Sequence, residues 1–181
     1  MKRVMPIRDK EKVREIKAYL KKKNERDYIL FMIGINAGLR VSDILPLRVR
    51  DVRGEYIEVI EQKTAKLRQI PINSSLKSAL NVYVRGKKDN DYLIKSREGM
   101  NQPIGRWTAW KIIKDAGVEV GLLNLGTHSM RKTFGYNYYR RTKDIQTLCK
   151  MLGHSDEEIT KRYIGIEDDF IREQYLKHTN L

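Results

Sequence analysis

Residues 152–164 have the sequence LGHSDEEITKRYI, which combines a helix end, a histidine, a new helix start and a tyrosine beside basic side chains. Gly153 is expected to end the preceding helix, because glycine readily adopts the left-handed conformation that closes many helices. Ser155 and Glu158 have the spacing of a capping box and predict that the next helix begins at Ser155. That helix carries Tyr163. Most of the remaining chain can be interpreted as supplying cations around this tyrosine.

The composition favours a polyanionic partner. Of the 181 residues, 37 are Lys or Arg and 23 are Asp or Glu, which gives a net charge of +14 and indicates nucleic acid. The single cysteine, Cys149, excludes an internal disulfide and suits a reducing cytosol. The most apolar run, Tyr28 to Ala37, is far too short to span a membrane. We therefore expect a cytoplasmic protein without a membrane partner.

The N-terminal part is expected to form two helices and the start of a third. Asp9 can cap a helix whose apolar residues recur at spacings of three and four. A second helix, from Glu25 to Ala37, is apolar on nearly all sides and should be buried, and Gly38 should end it. Ser42 is expected to cap a short helix. Arg40 therefore lies at a junction between a buried helix and a new helix start.

A β-hairpin is predicted next. Residues Glu55 to Gln62 alternate in polarity, and Leu67 to Ile72 form the return strand. The turn region between them is unusually cationic, with Lys63, Lys66 and Arg68. With helices predicted nearly everywhere else, the fold class is mainly α with one small antiparallel β-sheet (α+β).

The C-terminal half is expected to be helical. One helix should run from Gln102 to Ala116, with Gly117 as its end. Thr127 can cap another helix, on which His128 and Arg131 share a face because residues three apart are neighbours on a helix surface. This pair is the second cationic group that the sequence offers.

Metal and nucleotide chemistry are poorly supported by the sequence. The histidines are His128, His154 and His178, and no two have the spacing of a helical zinc site. Cys149 has no partner cysteine. The chain contains neither a glycine-rich phosphate loop nor a Gly-x-Ser-x-Gly motif. We therefore expect no metal and no cofactor.

A chemistry of cations and a tyrosine remains. Attack on a phosphodiester builds negative charge on the non-bridging oxygens, and without a metal that charge is stabilised by guanidinium groups. A tyrosine oxygen can be the nucleophile, while a histidine or lysine moves the protons. The residues available for these tasks are Arg40, Lys63, His128, Arg131, His154 and Tyr163.

The order and spacing of these residues resemble the catalytic domain of the tyrosine recombinases, the phage integrase family. The matching features are the segment GLRVSDIL at residues 38–45, a lysine on a β-turn, His-x-x-Arg, Leu-Gly-His, and a tyrosine nine residues after that histidine. The resemblance implies the DNA breaking–rejoining enzyme fold for residues 1–181. Many members of that family carry a further N-terminal domain, whereas here only about eight residues precede the first predicted helix. We therefore expect a single catalytic domain of the short type, with no N-terminal core-binding or arm-binding domain, in preference to a fragment of a longer protein.

The resemblance implies a role for each candidate. Arg40 and Arg131 would clamp the scissile phosphate, and Tyr163 would attack it to give a 3′-phosphotyrosyl link. Lys63 would protonate the leaving 5′ oxygen, and His128 would be the base-side partner of the tyrosine. No cofactor is needed, because the covalent intermediate conserves the ester.

Further roles follow from the same likeness. His154 would hydrogen-bond a phosphate oxygen, and Asp43 would orient its neighbours. Lys66 lies on the same turn as Lys63 and is the alternative general acid. The side chains expected to contact DNA phosphates are Lys66, Lys132, Lys161 and Arg162.

The predicted function is that of a site-specific DNA recombinase or integrase of a bacterial or phage mobile element, working without metal or ATP. The alternatives are a type IB topoisomerase-like nicking–closing enzyme and a catalytically silent DNA-binding accessory protein of the same fold. The expected partner is double-stranded DNA. The resemblance further implies a homotetramer on DNA, and the apolar side of the C-terminal segment Glu167 to Leu181 suits either docking on a neighbouring copy or folding back on its own domain. We expect a monomer in the absence of DNA.

Overall fold

The computed structural model describes residues 4–60 and 67–179. Asp9 caps α1, where its carboxylate accepts a hydrogen bond from the Glu11 backbone N–H at 2.8 Å. Helix α2 follows and ends at Gly38, which has the left-handed φ of 63°. Both of these predictions are confirmed. The helices are α1 Lys10–Lys23, α2 Glu25–Ala37, α3 Val41–Ile44, α4 Ser74–Tyr83, α5 Arg106–Glu119, α6 Thr127–Thr142, α7 Ile145–Leu152, α8 Glu157–Ile164 and α9 Ile166–His178.

Helix α2 lies at the centre of the core. Its side chains Ile29, Leu30, Phe31 and Ile33 are almost fully buried, and the helix packs against α1, α4 and α6. A helix that is apolar on nearly all sides is most stable when other elements surround it, because burial of apolar area drives folding. The central position of α2 fixes the α2–α3 junction against α6, where the candidate residues lie.

The β-sheet is a two-stranded antiparallel hairpin. Strand β1 spans Tyr56–Ile60 and strand β2 spans Leu67–Pro71, with Ile57 opposite Ile70. Side chains on β1 alternate between exposed and buried, as expected for a sheet with one face on the core. The predicted turn with Lys63 and Lys66 lies outside the described residues. In the part of the chain that the structure describes, the secondary structure agrees with the predicted mainly α class with one small sheet.

Three helix starts differ from the prediction. Helix α3 begins at Val41 with Arg40 in the N-cap position, so Ser42 lies inside it and does not cap it. Helix α6 begins with Thr127 itself, after Gly126. Helix α8 is capped by Asp156, whose carboxylate accepts from the Ile159 backbone N–H at 3.0 Å, and not by Ser155. Asp156 satisfies the same kind of orphan N–H one residue further along the chain.

Helix α5 also has bounds other than those predicted. It begins at Arg106, because Pro103 and its neighbours are engaged in a β-bridge with Lys95. It continues through Gly117 to Glu119. A β-carbon at Gly117 would lie 2.7 Å from the Leu122 carbonyl oxygen, so this glycine serves close packing and does not end the helix. Among the described residues, no helix has the length and apolar character needed to cross a membrane.

Candidate active site

Arg131 connects two loops at the centre of the site. It lies on the first turns of α6 and is 3% exposed. Its Nη1 donates to the Gly38 carbonyl at 2.6 Å, and its Nη2 donates to the Leu152 carbonyl. Burial and the charge of Arg40 lower the pKa of Arg131 to about 10, which leaves the guanidinium charged at neutral pH. One side chain thus holds the end of α2 and the end of α7 together.

Arg40 approaches the same place from the α2–α3 junction. Its Nη1 is 4.0 Å from Oδ2 of the buried Asp43, one turn further along the chain. Arg40, His128 and Arg131 line one cavity of about 410 Å³. The structure therefore brings together three candidates that are separated by about half of the chain, as the sequence predicted.

His128 projects from the start of α6, where it is exposed. Desolvation by surrounding protein and the positive charges of Lys132, Arg131 and Arg40 lower the pKa of His128. A lowered pKa keeps the imidazole neutral at neutral pH, and a neutral imidazole can accept a proton. This is the protonation state that a base-side partner requires.

His154 is positioned by the end of α7 and by α8. Gly153 has a left-handed φ of 57°, and the His154 backbone N–H donates to the Cys149 carbonyl at 3.0 Å, as in a Schellman motif. The ring Nδ1 of His154 lies 3.0 Å from Oγ1 of Thr160. The Thr160 hydroxyl also donates to the Asp156 carbonyl at 3.0 Å. Backbone and ring are thus both fixed, and the predicted helix end at Gly153 is confirmed.

Tyr163 is half-buried on α8, next to His154. The two rings make an edge-to-face contact with centroids 5.0 Å apart. Desolvation raises the pKa of Tyr163, and the charges of Arg131 and Arg40 oppose that rise. The nucleophile candidate is therefore a neutral phenol at rest, close to the two guanidinium groups that would stabilise its anion.

Lys132 has a different environment from the one predicted. It is 6% exposed, its Nζ donates to the Val4 carbonyl at 2.8 Å, and the same nitrogen lies 5.1 Å from the centroid of the Tyr163 ring. A buried ammonium held by backbone is not placed as a surface contact to a DNA phosphate. Its contacts indicate that Lys132 connects the N-terminal segment to the tyrosine.

The N-terminal segment follows α6 towards α9. The Ile7 backbone N–H donates to Oγ1 of Thr133 at 2.8 Å. Arg8 donates to Asp169 at 2.7 Å and to the Gly165 carbonyl at 3.1 Å. The segment thus contacts α6 and the junction between α8, the helix that carries Tyr163, and α9.

The other cations expected at phosphates divide into two groups. Lys63 and Lys66 lie outside the described residues. Lys161 pairs with Glu158 at 2.6 Å on the surface of α8, and Nε of Arg162 lies 3.6 Å from Glu167. Both α8 cations are at the surface beside carboxylates, and their contact with DNA stays a prediction.

Sequence reasoning gave no role in the site to Arg68 and Thr160. Nη2 of Arg68 on β2 donates to the Met151 carbonyl at 2.6 Å, next to the Leu152 carbonyl that Arg131 holds. Two arginines thus satisfy the terminal carbonyls of α7, where the helix dipole favours cations. The cationic hairpin turn was the only sequence signal for Arg68, and Thr160 had none beyond its place on the tyrosine helix.

The arrangement suits attack by a phenol on a phosphodiester. It offers fixed guanidinium groups, a neutral histidine, a second histidine with a fixed ring, and a phenol within one cluster. Within residues 4–60 and 67–179, no three His, Cys, Asp or Glu side chains are grouped as a metal site requires.

Comparisons with known proteins agree with this geometry. Residues 7–169 match the family model described as the phage integrase family. The chain is 49% identical to the probable integrase/recombinase YoeC of Bacillus subtilis (strain 168) over 173 residues, which cover 95% of each chain. It is 32% identical to the tyrosine recombinase XerA of Pyrococcus horikoshii over 154 residues, 83% of this chain and 54% of that protein. The chain thus spans about half the length of that archaeal relative.

Solved structures show the same fold. A crystal structure of XerA recombinase superposes with a TM-score of 0.76 at 24% identity, over 98% of this chain and 65% of that one. A lambda integrase dimer bound to a COC′ core site gives 0.70 at 18% identity, over 91% and 49%. The predicted fold class is confirmed, and the relatives favour a recombinase over a topoisomerase-like enzyme or a silent accessory protein. The chain belongs to the phage integrase family of tyrosine recombinases.

Proposed function

We propose that this protein cuts and rejoins double-stranded DNA at specific sites through a 3′-phosphotyrosyl intermediate on Tyr163. The observation that carries the proposal is the cluster in which Tyr163 contacts His154, near two guanidinium groups that line one cavity with His128. YoeC, the relative that matches 95% of the chain, is itself named a probable integrase/recombinase.

In the proposed cleavage step, Oη of Tyr163 attacks the phosphorus and displaces the 5′ oxygen of the next nucleotide. The phenol must lose its proton as the bond forms, because its pKa is raised by burial. His128 receives that proton, and its lowered pKa keeps it unprotonated beforehand. Lys63 protonates the leaving 5′ oxygen. Rejoining is the reverse, with the 5′ hydroxyl of a partner strand as nucleophile.

Charge stabilisation falls to the remaining cations. Arg40 and Arg131 bind the non-bridging oxygens, and Arg131 does so from a position that two backbone carbonyls already fix. A donor that needs no reorganisation stabilises a transition state more than a mobile one. His154, held at Nδ1 by Thr160, donates its other ring N–H to a phosphate oxygen. These roles need no metal or ATP, because the phosphotyrosyl ester keeps the bond energy.

Double-stranded DNA is the substrate in this proposal. The net charge of +14 supports it, since cations that replace condensed counterions provide sequence-independent affinity. Structural neighbours include a Tn1549 transposon integrase in complex with transposon right end DNA. Residues 1–181 act as the catalytic domain, in the cytoplasm, on a bacterial or phage mobile element.

On DNA, we propose a homotetramer joined through α9, with a monomer in the absence of DNA. None of the described residues of α9 is buried. Its first turn carries Glu167, Asp168 and Asp169, and a groove of about 760 Å³ between α1 and α6 is lined by cations and aromatic rings. That groove complements the acidic start and the apolar side chains of α9 from a second copy. The exposed apolar residues of α9 are Phe170, Ile171, Tyr175 and Leu176.

A selection for covalent capture tests the function without knowledge of the target site. A library of randomised duplexes is incubated with the protein, free DNA is removed under denaturing conditions, and the retained DNA is sequenced. Wild-type protein should enrich a defined site and should release it after proteolysis as a tyrosine-linked 3′ end.

Two variants make the selection decisive. Tyr163→Phe should capture nothing, whereas Tyr175→Phe, on the exposed side of α9, should capture the same site as wild type. Covalent DNA on the Tyr163→Phe protein would contradict the proposal. Relaxation of supercoiled plasmid that lacks the enriched site would favour a nicking–closing activity instead.

A further inference from the structure

The cavity that holds Arg40, His128 and Arg131 has a second wall without a role in the chemistry above. That wall comes from the start of α5 and contains Trp107 and Trp110, one helical turn apart and therefore on the same face. They are the only two tryptophans in the sequence. Both line the cavity of about 410 Å³ that contains the proposed phosphate-binding cations.

Trp110 is largely engaged by the protein. The ammonium of Lys114 lies 4.7 Å from the centroid of the Trp110 ring, which occupies one face of the indole. On another side the indole packs against the backbone at Gly126, where a β-carbon would lie 3.4 Å from its Nε1. Trp110 therefore forms the fixed back wall of the cavity and supports the start of α6.

Among residues 4–60 and 67–179, no cation or ring contact of this kind is made by Trp107. It is 69% exposed, against 38% for Trp110. Contiguous exposed apolar surface rimmed by polar groups is a feature of ligand-binding sites. Because Trp107 lines the same cavity as the cations, its indole is available to a group bound between them.

We propose that Trp107 stacks on the base of a nucleotide adjoining the scissile phosphate, after that base has left the duplex stack. The inference rests on the proposed function, because it places the scissile phosphate at Arg40 and Arg131. A base is covalently tied to its phosphate, so a nucleotide held by these cations brings its base to the neighbouring wall. Among the groups of DNA, the base is the one with an aromatic face.

The chemistry and the size of the cavity agree with this occupant. Base–aromatic stacking is favourable for every base and is a common way to bind single-stranded or extruded nucleotides. A cavity of about 410 Å³ is within the range of small-ligand sites.

Tryptophan fluorescence tests the subsite directly, because all tryptophan emission of the protein comes from this wall. In Trp110→Phe protein, Trp107 is the single emitter. Titration with a short oligothymidylate should quench that emission, and an abasic oligomer of equal length and charge should not. In Trp107→Phe protein, where Trp110 emits, the oligothymidylate should have little effect.

Affinity gives a second readout. Trp107→Ala should weaken oligothymidylate binding about tenfold and leave the abasic oligomer unaffected, and Trp107→Phe should retain most of the affinity. Leu123→Ala removes another exposed apolar side chain, 73% exposed, and should change neither. Thermal melting shows that each variant is folded.

Several results would overturn the subsite. Equal quenching by the two oligomers, quenching by neither, or a response confined to Trp110 would each do so. The covalent capture of DNA by Tyr163 is measured separately. If capture succeeds and Trp107 does not distinguish the oligomers, the stacking subsite is wrong and the proposed function stands.

Discussion

The side-chain hydroxyl of Thr160 connects three groups at the site. It lies 3.0 Å from Nδ1 of His154 and 2.9 Å from Sγ of Cys149, and it donates to the Asp156 carbonyl. With its one hydrogen directed at that carbonyl, it accepts a hydrogen bond from Nδ1–H of His154. Thr160 is therefore a positioning residue for His154.

Thr160→Val should reveal this role. Valine keeps the shape but removes the hydrogen bonds, so the ring of His154 loses its fixed direction. We expect the rate of phosphotyrosyl formation to fall about tenfold or more, and the free energy of unfolding to fall by about 1 kcal/mol.

Single-turnover cleavage and thermal melting measure the two effects. Thr142→Val, at the exposed end of α6, is the matched control. Thr160→Ser, which restores the hydroxyl, should recover most of the rate. A Thr160→Val protein that cleaves as fast as wild type would refute the assignment.

At the scale of elements, the position of α8 on α6 depends on Gly135. A β-carbon built at Gly135 would lie 2.8 Å from Cγ2 of Ile164 and 3.4 Å from Cδ1 of Leu152. These two side chains are fully buried in the second, smaller core cluster of the molecule. The absence of a side chain at Gly135 lets α8 approach α6, and this approach sets the depth at which Tyr163 lies.

Gly135→Ala should displace α8. Alanine favours a helix by about 1 kcal/mol over glycine, but overpacking a core costs about 1–3 kcal/mol, so we expect a net loss of stability and slower cleavage. Chemical denaturation measures the loss of stability, and the cleavage assay measures the rate.

Ile164→Ala removes the opposing Cγ2, so the double variant should lose less stability than the sum of the two single changes. Gly54→Ala, whose nearest neighbour would be the Tyr56 nitrogen at 4.0 Å, is the control. Additive losses would argue against this contact.

At the scale of the whole molecule, α9 is a surface element of the monomer. Four of its apolar residues, Phe170, Ile171, Tyr175 and Leu176, are 53–66% exposed. Arg8 of the N-terminal segment forms an ion pair with Asp169 of this helix. Replacing both Ile171 and Tyr175 with serine should change the free energy of unfolding by no more than about 0.5 kcal/mol. Assembly on DNA should nevertheless be lost, because the proposed docking side chains are removed.

Light scattering of the protein with and without its selected DNA site measures that assembly. Wild type should form multimers on DNA, and the double variant should not. Val118→Ser, which alters another exposed apolar residue, should behave as wild type. Equal assembly by both proteins would exclude α9 as the connection.

Local rules explain why part of the site could be predicted. Gly38 and Gly153 were correctly predicted as helix ends, because a left-handed residue after a helix favours glycine wherever it occurs. The predicted cap of α8 was wrong by one residue. Ser155 and Asp156 are both residue types that favour the N-cap position, and packing selects between them. Arg68 could not be predicted, because its contact with Met151 spans 83 residues and exists only after folding.

The burial of Lys132 could not be predicted from the sequence either. Lys132 is a basic residue in a basic chain, and its contact with Val4 depends on how the N-terminal segment crosses α6. The ordered family residues were predictable because chemistry constrains them. The residues that orient them, such as Thr160, are set by tertiary packing.

Two of the left-handed glycines, Gly153 and Gly165, enclose the segment that carries both His154 and Tyr163. His154 is hydrogen-bonded to the helix of the tyrosine through Thr160, so the two side chains form one unit. If the segment rotates about these glycines, the nucleophile and the phosphate donor leave together. Two losses of transition-state stabilisation that occur together add as free energies, so their effects on the reaction rate multiply. A subunit of the proposed tetramer would therefore be either competent or silent, with no partly active state between them, which limits strand cutting to subunits whose segment is docked.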